Sequence, residues 1–290
     1  MEKSRCLKSA LRKSFFLLGL VIISFIASGS TRLNANDLAA SLENFQRFTF
    51  QHGVGNLSLL YRPGEGLPLV LIPGTFGNAS SWAETVSYLP ADMPLILAEH
   101  RGAGESWPPD VNTSIEVLAQ EILWLLSKVD VEHFYVGGHS LGGMISLEMG
   151  RVAPERVKAI ISVEGWTFHL AEKRAFAGLK TITLTPELLQ KRKERRARLE
   201  EKWGKERMNA FAKVWRKWDG REFLASTNLP ILEIYGDRGR EKPSLDALYI
   251  PERPNISVIW VADASHPIPA EKPIELAHII QKYLKSQNEL

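Results

Sequence analysis

The stretch Val136-Gly137-Gly138-His139-Ser140-Leu141-Gly142-Gly143-Met144 decides the fold of this chain. The apolar run that leads into it, residues 132–136, predicts a buried strand, and apolar residues at helical spacing from Leu141 onward predict a helix. Ser140 therefore falls on the turn between a strand and a helix. From such a turn a hydroxyl can project above the edge of a sheet.

The glycines on either side of Ser140 have a physical purpose. A strand that turns abruptly into a helix crowds the chain two positions before and after the corner, so glycine suits Gly138 and Gly142. The same turn places the backbone N–H of Leu141 at the positive end of the helix dipole, where it can stabilise an oxyanion. The motif predicts Ser140 as a nucleophile and Leu141 as an oxyanion-hole donor; the alternative is a chance match of a short motif.

Length and composition are those of an ordinary globular enzyme. The chain has 290 residues, of which 44% are hydrophobic and 24% charged, which predicts one large domain with an insertion. The net charge of +3 is too small to indicate a nucleic-acid partner. There is no Walker-type phosphate loop, no dinucleotide-binding glycine motif after the first strand, and no paired histidine spacing. We therefore expect no cofactor and no metal.

The N-terminal residues 1–35 have the pattern of an export signal or an N-terminal anchor. Basic residues precede an apolar run from Phe15 to Ala27, which is short for a membrane span but typical of a signal-peptide core. Small residues allow cleavage after Gly29 or after Ala35. Either form predicts a catalytic domain outside the cytoplasm, periplasmic or secreted, with membrane contact only through an uncleaved segment. Cys6 is the only cysteine, so no disulfide is expected in the mature protein.

Apolar runs that alternate with helical patterns predict a mostly parallel sheet with helices on both faces. Two capping boxes, Ser81 with Glu84 and Thr113 with Glu116, predict helix starts. The predicted strands are 45–51, 56–61, 68–73, 94–98, 132–136, 158–164, 230–235 and 256–261, and a last helix follows over about 272–283.

The alternation breaks between residues 165 and 226, where helix-forming and charged residues replace strand-like runs. This predicts a helical cap, 165–226, inserted between two parts of a core, 36–164 and 227–290. Thr185 and Pro186 form a good helix start. Positive residues outnumber negative ones over 191–207, but interleaved glutamates favour a solvated helix face over a nucleic-acid or anionic-membrane patch. Aromatic residues of the cap favour an apolar or aromatic substrate group, and its charge favours an anionic one.

From Phe45 to the last helix, the chain resembles an α/β-hydrolase-fold protein with a helical cap, of the serine esterase-like branch. The resemblance is carried by the order of an oxyanion loop that ends at Trp82, an Arg101-Gly102-Ala103-Gly104-Glu105-Ser106 loop, the Ser140 elbow, the cap and a late histidine. It implies that the backbone N–H of Thr75 is the second oxyanion donor, with Phe76 as the alternative. It also implies that His266, after the last strand, is the general base, for which imidazole is suited near neutral pH.

The acid that would orient His266 stays open between two carboxylates. The family most often places it after the seventh strand, three residues past a glycine, but that position is Gly239 and Asp237 is offset by two. Some branches place it after the sixth strand, about 24 residues beyond the nucleophile, where Glu164 stands. Asp246 and Asp263 are weaker candidates.

The resemblance implies acyl chemistry on a small carboxylic ester through an acyl-enzyme on Ser140, because serine replaces the aspartate nucleophile of dehalogenases and epoxide hydrolases. Two alternatives remain. The same triad supports carbon–carbon bond hydrolysis or perhydrolysis, and a non-catalytic protein could use the capped pocket to bind a ligand.

Overall fold

Eight strands form one sheet, whose order is β1-β2-β4-β3-β5-β6-β7-β8. The computed structural model describes residues 41–176 and 186–288. The first two strands form an antiparallel hairpin, β2 pairs antiparallel with β4, and every later pair is parallel. The strands are β1 Gln46–His52, β2 Gly55–Arg62, β3 Leu69–Ile72, β4 Leu95–Glu99, β5 Phe134–His139, β6 Val157–Val163, β7 Ile231–Gly236 and β8 Ile256–Val261. The predicted fold class is confirmed.

The central strands read as continuous apolar runs because both faces of the sheet are covered. In β3, Val70 and Ile72 pack into one core with the helices on one face, whereas Leu69 and Leu71 pack into a second core on the other face. This two-residue period is the geometry of a strand, whose side chains alternate between faces. All parallel strands point their carboxyl ends to one edge, and that edge collects the loops of the site.

Helices of two groups flank the sheet. The first core contains the long helices α2 and α3, and the second contains residues of α8 and α9. The helices outside the insertion are α1 Ala83–Ser87, α2 Ile115–Ser127, α3 Leu141–Val152, α8 Ile268–Glu271 and α9 Pro273–Asn288.

Both predicted capping boxes are displaced from the residues named by the sequence. The box before α1 is formed by Asn78 and Ser81 around a short 3-10 turn, Ala79–Trp82, so Ser81 is its third helical residue and not the cap. The cap of α2 is Ser114, which accepts a hydrogen bond from the N–H of Val117, and not Thr113. Ser114 has the extended backbone that a capping residue requires, and the helix begins one residue later than predicted.

The regular structure in the described part of the insertion between β6 and β7 is mostly helical. Its helices are α4 Ala171–Ala175, α5 Pro186–Trp203, α6 Lys205–Phe211 and α7 Arg221–Ser226, with a 3-10 turn at Val214–Lys217. Trp203, at the end of α5, is 1% exposed and packs against Phe76 and Phe211. This contact fixes α5, which we call the cap helix, over the carboxyl edge of the sheet.

Several predictions from the sequence concern residues outside the described ranges. They include the export signal with both of its cleavage positions, Cys6, and the helix cap at Thr185. Within residues 41–176 and 186–288, no helix has the length and apolar character needed to cross a membrane.

Candidate active site

Ser140 occupies a strained corner between β5 and α3. Its backbone angles, φ 56° and ψ −116°, lie in a region that side-chain-bearing residues rarely adopt. The backbone N–H of Ser140 donates to the carbonyl of Val163 at 2.8 Å, which ties the corner to the neighbouring strand. A Cβ added at Gly138 would lie 2.2 Å from the backbone of Gly142, and one at Gly142 would lie 2.2 Å from the carbonyl of Ile72. Both positions therefore require glycine.

Three backbone N–H groups near Ser140 have no acceptor in the described part of the chain. Leu141 is the first residue of α3, so its N–H has no acceptor within the helix. Thr75 and Phe76 lie on the turn after β3, and neither donates its N–H to another residue in the described part of the chain. Gly74 comes close to the corner, since an added Cβ would lie 3.3 Å from the Ser140 Cβ. The loop and the corner thus form one concave, donor-lined surface.

The proline at position 73 leaves the oxyanion loop anchored by other groups. The Gly74 carbonyl accepts the N–H of Gly77 at 2.9 Å and lies 3.4 Å from Nε2 of His100. His100 is fully buried, and burial lowers its pKa, so the ring is neutral near pH 7. His100 therefore supports the loop from below and stands apart from the reacting groups.

His266 lies after β8 and reaches back toward the corner. Its Nδ1 is 3.1 Å from Oε2 of Glu164, and its ring, 41% exposed, stacks on the indole of Trp166 with centroids 6.0 Å apart. Ser140 and His266 line the same cavity, and the Ser140 hydroxyl makes no hydrogen bond to any residue that the structure describes. The exposed Nε2 edge of His266 is the part of the ring left to exchange a proton.

Glu164 is the carboxylate that the structure joins to His266. It is fully buried and follows β6 with a positive φ of 53°. Its oxygens also accept the N–H of Gly236 at 2.8 Å and both terminal nitrogens of Arg238 at 3.1 and 2.8 Å. Burial opposes ionisation, but the hydrogen bonds from His266 and Arg238 outweigh it and lower the pKa of Glu164. Glu164 is therefore an anion near neutral pH.

Asp237 has a different environment, although it also follows a strand at the same edge. Its Oδ1 accepts the backbone N–H groups of Gly239 and Asp263, each at 2.8 Å, and makes no hydrogen bond to His266. The side chain that turns inward from this segment is that of Arg238, the next residue. The structure thus does not bring Asp237 to the histidine, and the same holds for exposed Asp263 and for Asp246, which pairs with Arg174.

His139, next to Ser140, links two parts of the candidate site. Its Nε2 lies 2.8 Å from the carbonyl oxygen of His266, which fits a donated N–H. Burial lowers the pKa of His139 to about 4, and the neighbouring side chains of His266 and Arg195 act in the same direction. The ring of His139 is therefore neutral near pH 7, and its hydrogen bond links the loop that carries His266 to the strand that precedes Ser140.

The cavity above Ser140 has a volume of about 830 Å³, which is in the range that holds small organic ligands. Its floor is formed by the oxyanion loop, Ser140 and His266, and the cap helix contributes Arg195, Arg198, Leu199 and Lys202. The aromatic residues of the insertion mostly lie in its packing against the core, as Trp203 does, and not in this wall. A larger cavity of about 950 Å³, beside Glu148 and Trp218, contains neither Ser140 nor His266.

Sequence reasoning missed three features of the site. It did not identify Arg238 as a partner of a buried acid, Trp166 as the surface on which His266 stacks, or the two arginines of the cap helix as cavity residues. For Arg238, the available signal was an arginine that follows a strand at the carboxyl edge of the sheet. In the described parts of the chain, no three His, Cys, Asp or Glu side chains are grouped as metal ligands would be.

Comparison with known proteins agrees with this architecture. The family model described as the alpha/beta hydrolase fold matches residues 68–207. A relative from Azorhizobium caulinodans, named as a proposed carbamate hydrolase, RutD, is 36% identical over 118 residues, which are 40% of this chain and 44% of that protein. The matched segment thus spans less than half the length of that relative.

Solved structures share the fold at low sequence identity. A membrane phospholipase A superimposes with a TM-score of 0.69 at 19% identity, covering 88% of this chain and 93% of that one. An esterase from Thermogutta terrifontis superimposes with a TM-score of 0.62 at 18% identity, covering 83% and 99%. Together with the strand order and the matched family model, these similarities show that the chain has the α/β-hydrolase fold.

Proposed function

We propose that this protein is a serine hydrolase that cleaves a small carboxylic ester. The observation that carries the proposal is the 3.1 Å contact between Nδ1 of His266 and buried Glu164, together with the cavity that His266 and the strained Ser140 both line. In this proposal Ser140 is the nucleophile, His266 the general base and Glu164 the acid that orients it. Leu141 and Thr75, with Phe76 as the alternative to Thr75, hold the oxyanion.

The first half-reaction transfers the acyl group to the serine. Ser140 Oγ attacks the ester carbonyl while its proton moves to Nε2 of His266, and the carbonyl electron pair becomes an oxyanion held by backbone N–H groups. When the tetrahedral intermediate collapses, the bond to the alcohol breaks and His266 returns the proton to the departing oxygen. The second half-reaction repeats these steps with water, releases the acid and restores Ser140.

Glu164 has the properties that this role requires. It is anionic, and its contact with Nδ1 keeps the proton on that nitrogen, so Nε2 is free to accept the proton of the serine. Arg238 donates to both carboxylate oxygens, one of which also contacts His266, and maintains the charge of Glu164 in a fully buried position. The imidazolium that forms during the reaction then faces a fixed negative group.

The relatives support acyl chemistry of this general kind. One carries the name of a carbamate hydrolase and another that of an esterase, and in both names the reaction is hydrolysis. A carbamate presents the same kind of carbonyl to a serine nucleophile as an ester does. Substrate choice within this class depends on the cavity wall.

Covalent labelling with a fluorophosphonate probe tests the proposal. We expect the protein to be labelled, Ser140→Ala to lose the label, and Ser127→Ala, a control at an exposed helix end, to keep it. Absence of labelling in the folded wild-type protein would contradict the proposal and favour a ligand-binding role. Labelling without hydrolysis of any ester in a panel would favour carbon–carbon bond cleavage or perhydrolysis.

A further inference from the structure

One face of the cap helix forms a wall of the candidate active-site cavity. Arg195, Arg198, Leu199 and Lys202 line it, and their spacing of three, one and three residues places them on a single helical face. Three of these four side chains are cationic. The sequence favoured a solvated helix face for this basic segment, and the structure shows that part of the face looks into the cavity.

Among the described residues, no acidic side chain forms an ion pair with the three cations of this wall. The described residues that line the cavity include no Asp or Glu. Two glutamates of the same helix have other partners: Glu200 pairs with Arg196 at 2.8 Å, and Glu194 accepts a hydrogen bond from Gln190 at 2.9 Å. Arg195 and Arg198 make no ion pair and no hydrogen bond within the described part of the chain. Two guanidinium groups therefore remain available to a ligand.

The helix is held in place at the end nearest the oxyanion loop. Trp203 packs edge-on against Phe76, with centroids 5.0 Å apart, and against Trp107 at 5.5 Å. Lys202 donates to the carbonyl of Gly104 at 3.0 Å and lies over the ring of Trp107. Lys202 is therefore already bound to other groups of the protein. Arg198 and Arg195 lie one turn and two turns before it, on a helix whose position these contacts fix.

The two arginines share the cavity with the groups proposed to react. Arg195 and Arg198 line the same cavity as Ser140 and His266. Arg195 is also near enough to His139, the residue before Ser140, to contribute to its lowered pKa. A guanidinium in this wall can therefore contact a group on a substrate whose carbonyl sits at Ser140.

We propose that Arg195 and Arg198 select an ester that carries a second, anionic group, a carboxylate or a phosphate, remote from the bond that is cleaved. The inference rests on the proposed function and deepens it, because it names the substrate class. Planar guanidinium groups bind such anions through paired hydrogen bonds, and the partly enclosed cavity screens the attraction less than bulk water does. The selected substrate is a single small molecule that enters the cavity, and not a charged lipid surface.

A matched pair of esters tests this selection. The 4-nitrophenyl half-ester of adipic acid carries a terminal carboxylate, and 4-nitrophenyl hexanoate has the same chain length without it. We expect kcat/KM to be about tenfold higher for the charged ester at low ionic strength and the ratio to fall toward one at about 0.5 M salt. In Arg195→Gln/Arg198→Gln we expect a ratio of about two or less. Arg196→Gln, which removes a cation from another face of the same helix, should keep the wild-type ratio.

Two outcomes would overturn the selection: equal kcat/KM for the two esters in the wild-type protein, or an equal loss of preference in Arg196→Gln. If neither ester is hydrolysed, the proposed function fails, and the inference is then decided by calorimetric binding of adipate to the wild-type protein. Binding weakened about tenfold by the double variant would still support the anion site, and unchanged or undetectable binding would refute it. Sedimentation with anionic phospholipid vesicles that depends on Arg195 and Arg198, without any ester preference, would also overturn it in favour of a membrane-surface role.

Discussion

Glu164 and Asp237 make the most informative comparison in this molecule. Each carboxylate follows a parallel strand at the same edge of the sheet, and the sequence offered both as the partner of His266. Glu164 is fully buried and is bound by His266, Arg238 and a backbone N–H. Asp237 is partly exposed and holds the backbone of its own loop. The position of a carboxylate along the chain therefore identifies it as a candidate acid. The direction of its side chain, and the presence of a cation in contact with it, determine which role it can have.

The largest expected difference between the two carboxylates is in catalysis. Glu164→Gln keeps the shape of the side chain but removes the charge that stabilises protonated His266, so we expect kcat/KM to fall about 10³- to 10⁴-fold. Asp237→Asn should remain within about threefold of the wild-type protein, because its carboxylate makes no hydrogen bond to the histidine. Steady-state hydrolysis of a 4-nitrophenyl ester measures both. The reverse order of effects would make Asp237 the acid.

The second difference concerns the cation behind the buried acid. In Arg238→Gln, Glu164 stays buried without its ion-pair partner, and we expect the free energy of unfolding to fall by about 3 kcal/mol at neutral pH. Because the folded-state pKa of Glu164 is lowered, its ionisation stabilises the native protein above the unfolded pKa. The difference in the free energy of unfolding between the wild-type protein and Arg238→Gln should therefore become smaller as the pH falls below about 4.5.

Urea unfolding of both proteins across this pH range measures the change. Arg240→Gln provides the control, since Arg240 is exposed and its side chain makes no hydrogen bond or ion pair in the described part of the chain. A deficit that stays constant with pH would show that Arg238 acts through packing, for example over the ring of Phe176, and not through the charge of Glu164.

A third carboxylate sharpens the comparison, because it is buried without a cation. Glu233 on β7 is fully buried, receives the hydroxyl of Tyr235 at 3.1 Å, and has one oxygen without a partner among the described residues. Burial raises the pKa of Glu233 to about 8, so the folded protein holds it protonated at neutral pH. Glu164 and Glu233 thus differ in charge because only Glu164 is hydrogen-bonded by His266 and Arg238.

Glu233→Gln should therefore change how stability depends on pH. The raised pKa stabilises the native protein fully below about 4.5, and this contribution is lost as the pH rises through the folded value. Relative to the glutamine variant, the wild-type protein should lose on the order of 3 kcal/mol between pH 5 and pH 9. Urea unfolding at several pH values measures it. Parallel curves for the two proteins would show that Glu233 is ionised in the folded state.

The smallest expected effect is the structural contribution of Asp237. Asp237→Ala removes the acceptor for the N–H groups of Gly239 and Asp263, and we expect a loss of about 1 kcal/mol in the free energy of unfolding, with labelling of Ser140 retained. Thermal unfolding together with the labelling assay measures both quantities. Loss of labelling at full stability would contradict the loop-capping role.

The parts of the molecule that depend on local pattern were predictable from the sequence. The strand before Ser140, the glycines around it and the helix after it follow from short-range periodicity, and the fold class follows from the alternation of such segments. The choice between Glu164 and Asp237 depends on which side chain turns inward at each strand end, and that is set by contacts with β7, β8 and the insertion. Helix caps were misplaced by one to three residues because neighbouring polar residues compete for the same role, as Thr113 and Ser114 do.

The contact between His139 and the carbonyl of His266 links residues 127 positions apart. During synthesis, the segment that contains Ser140 leaves the ribosome long before the segment that contains His266. The hydrogen bond between His139 and the carbonyl of His266 can form only after β8 and the loop that follows it have emerged. Under the proposed function, the chain therefore becomes active only after a contact that spans nearly half of its length has formed. A polypeptide truncated before residue 266 would contain Ser140 and the loop after β3, yet would lack the proposed base.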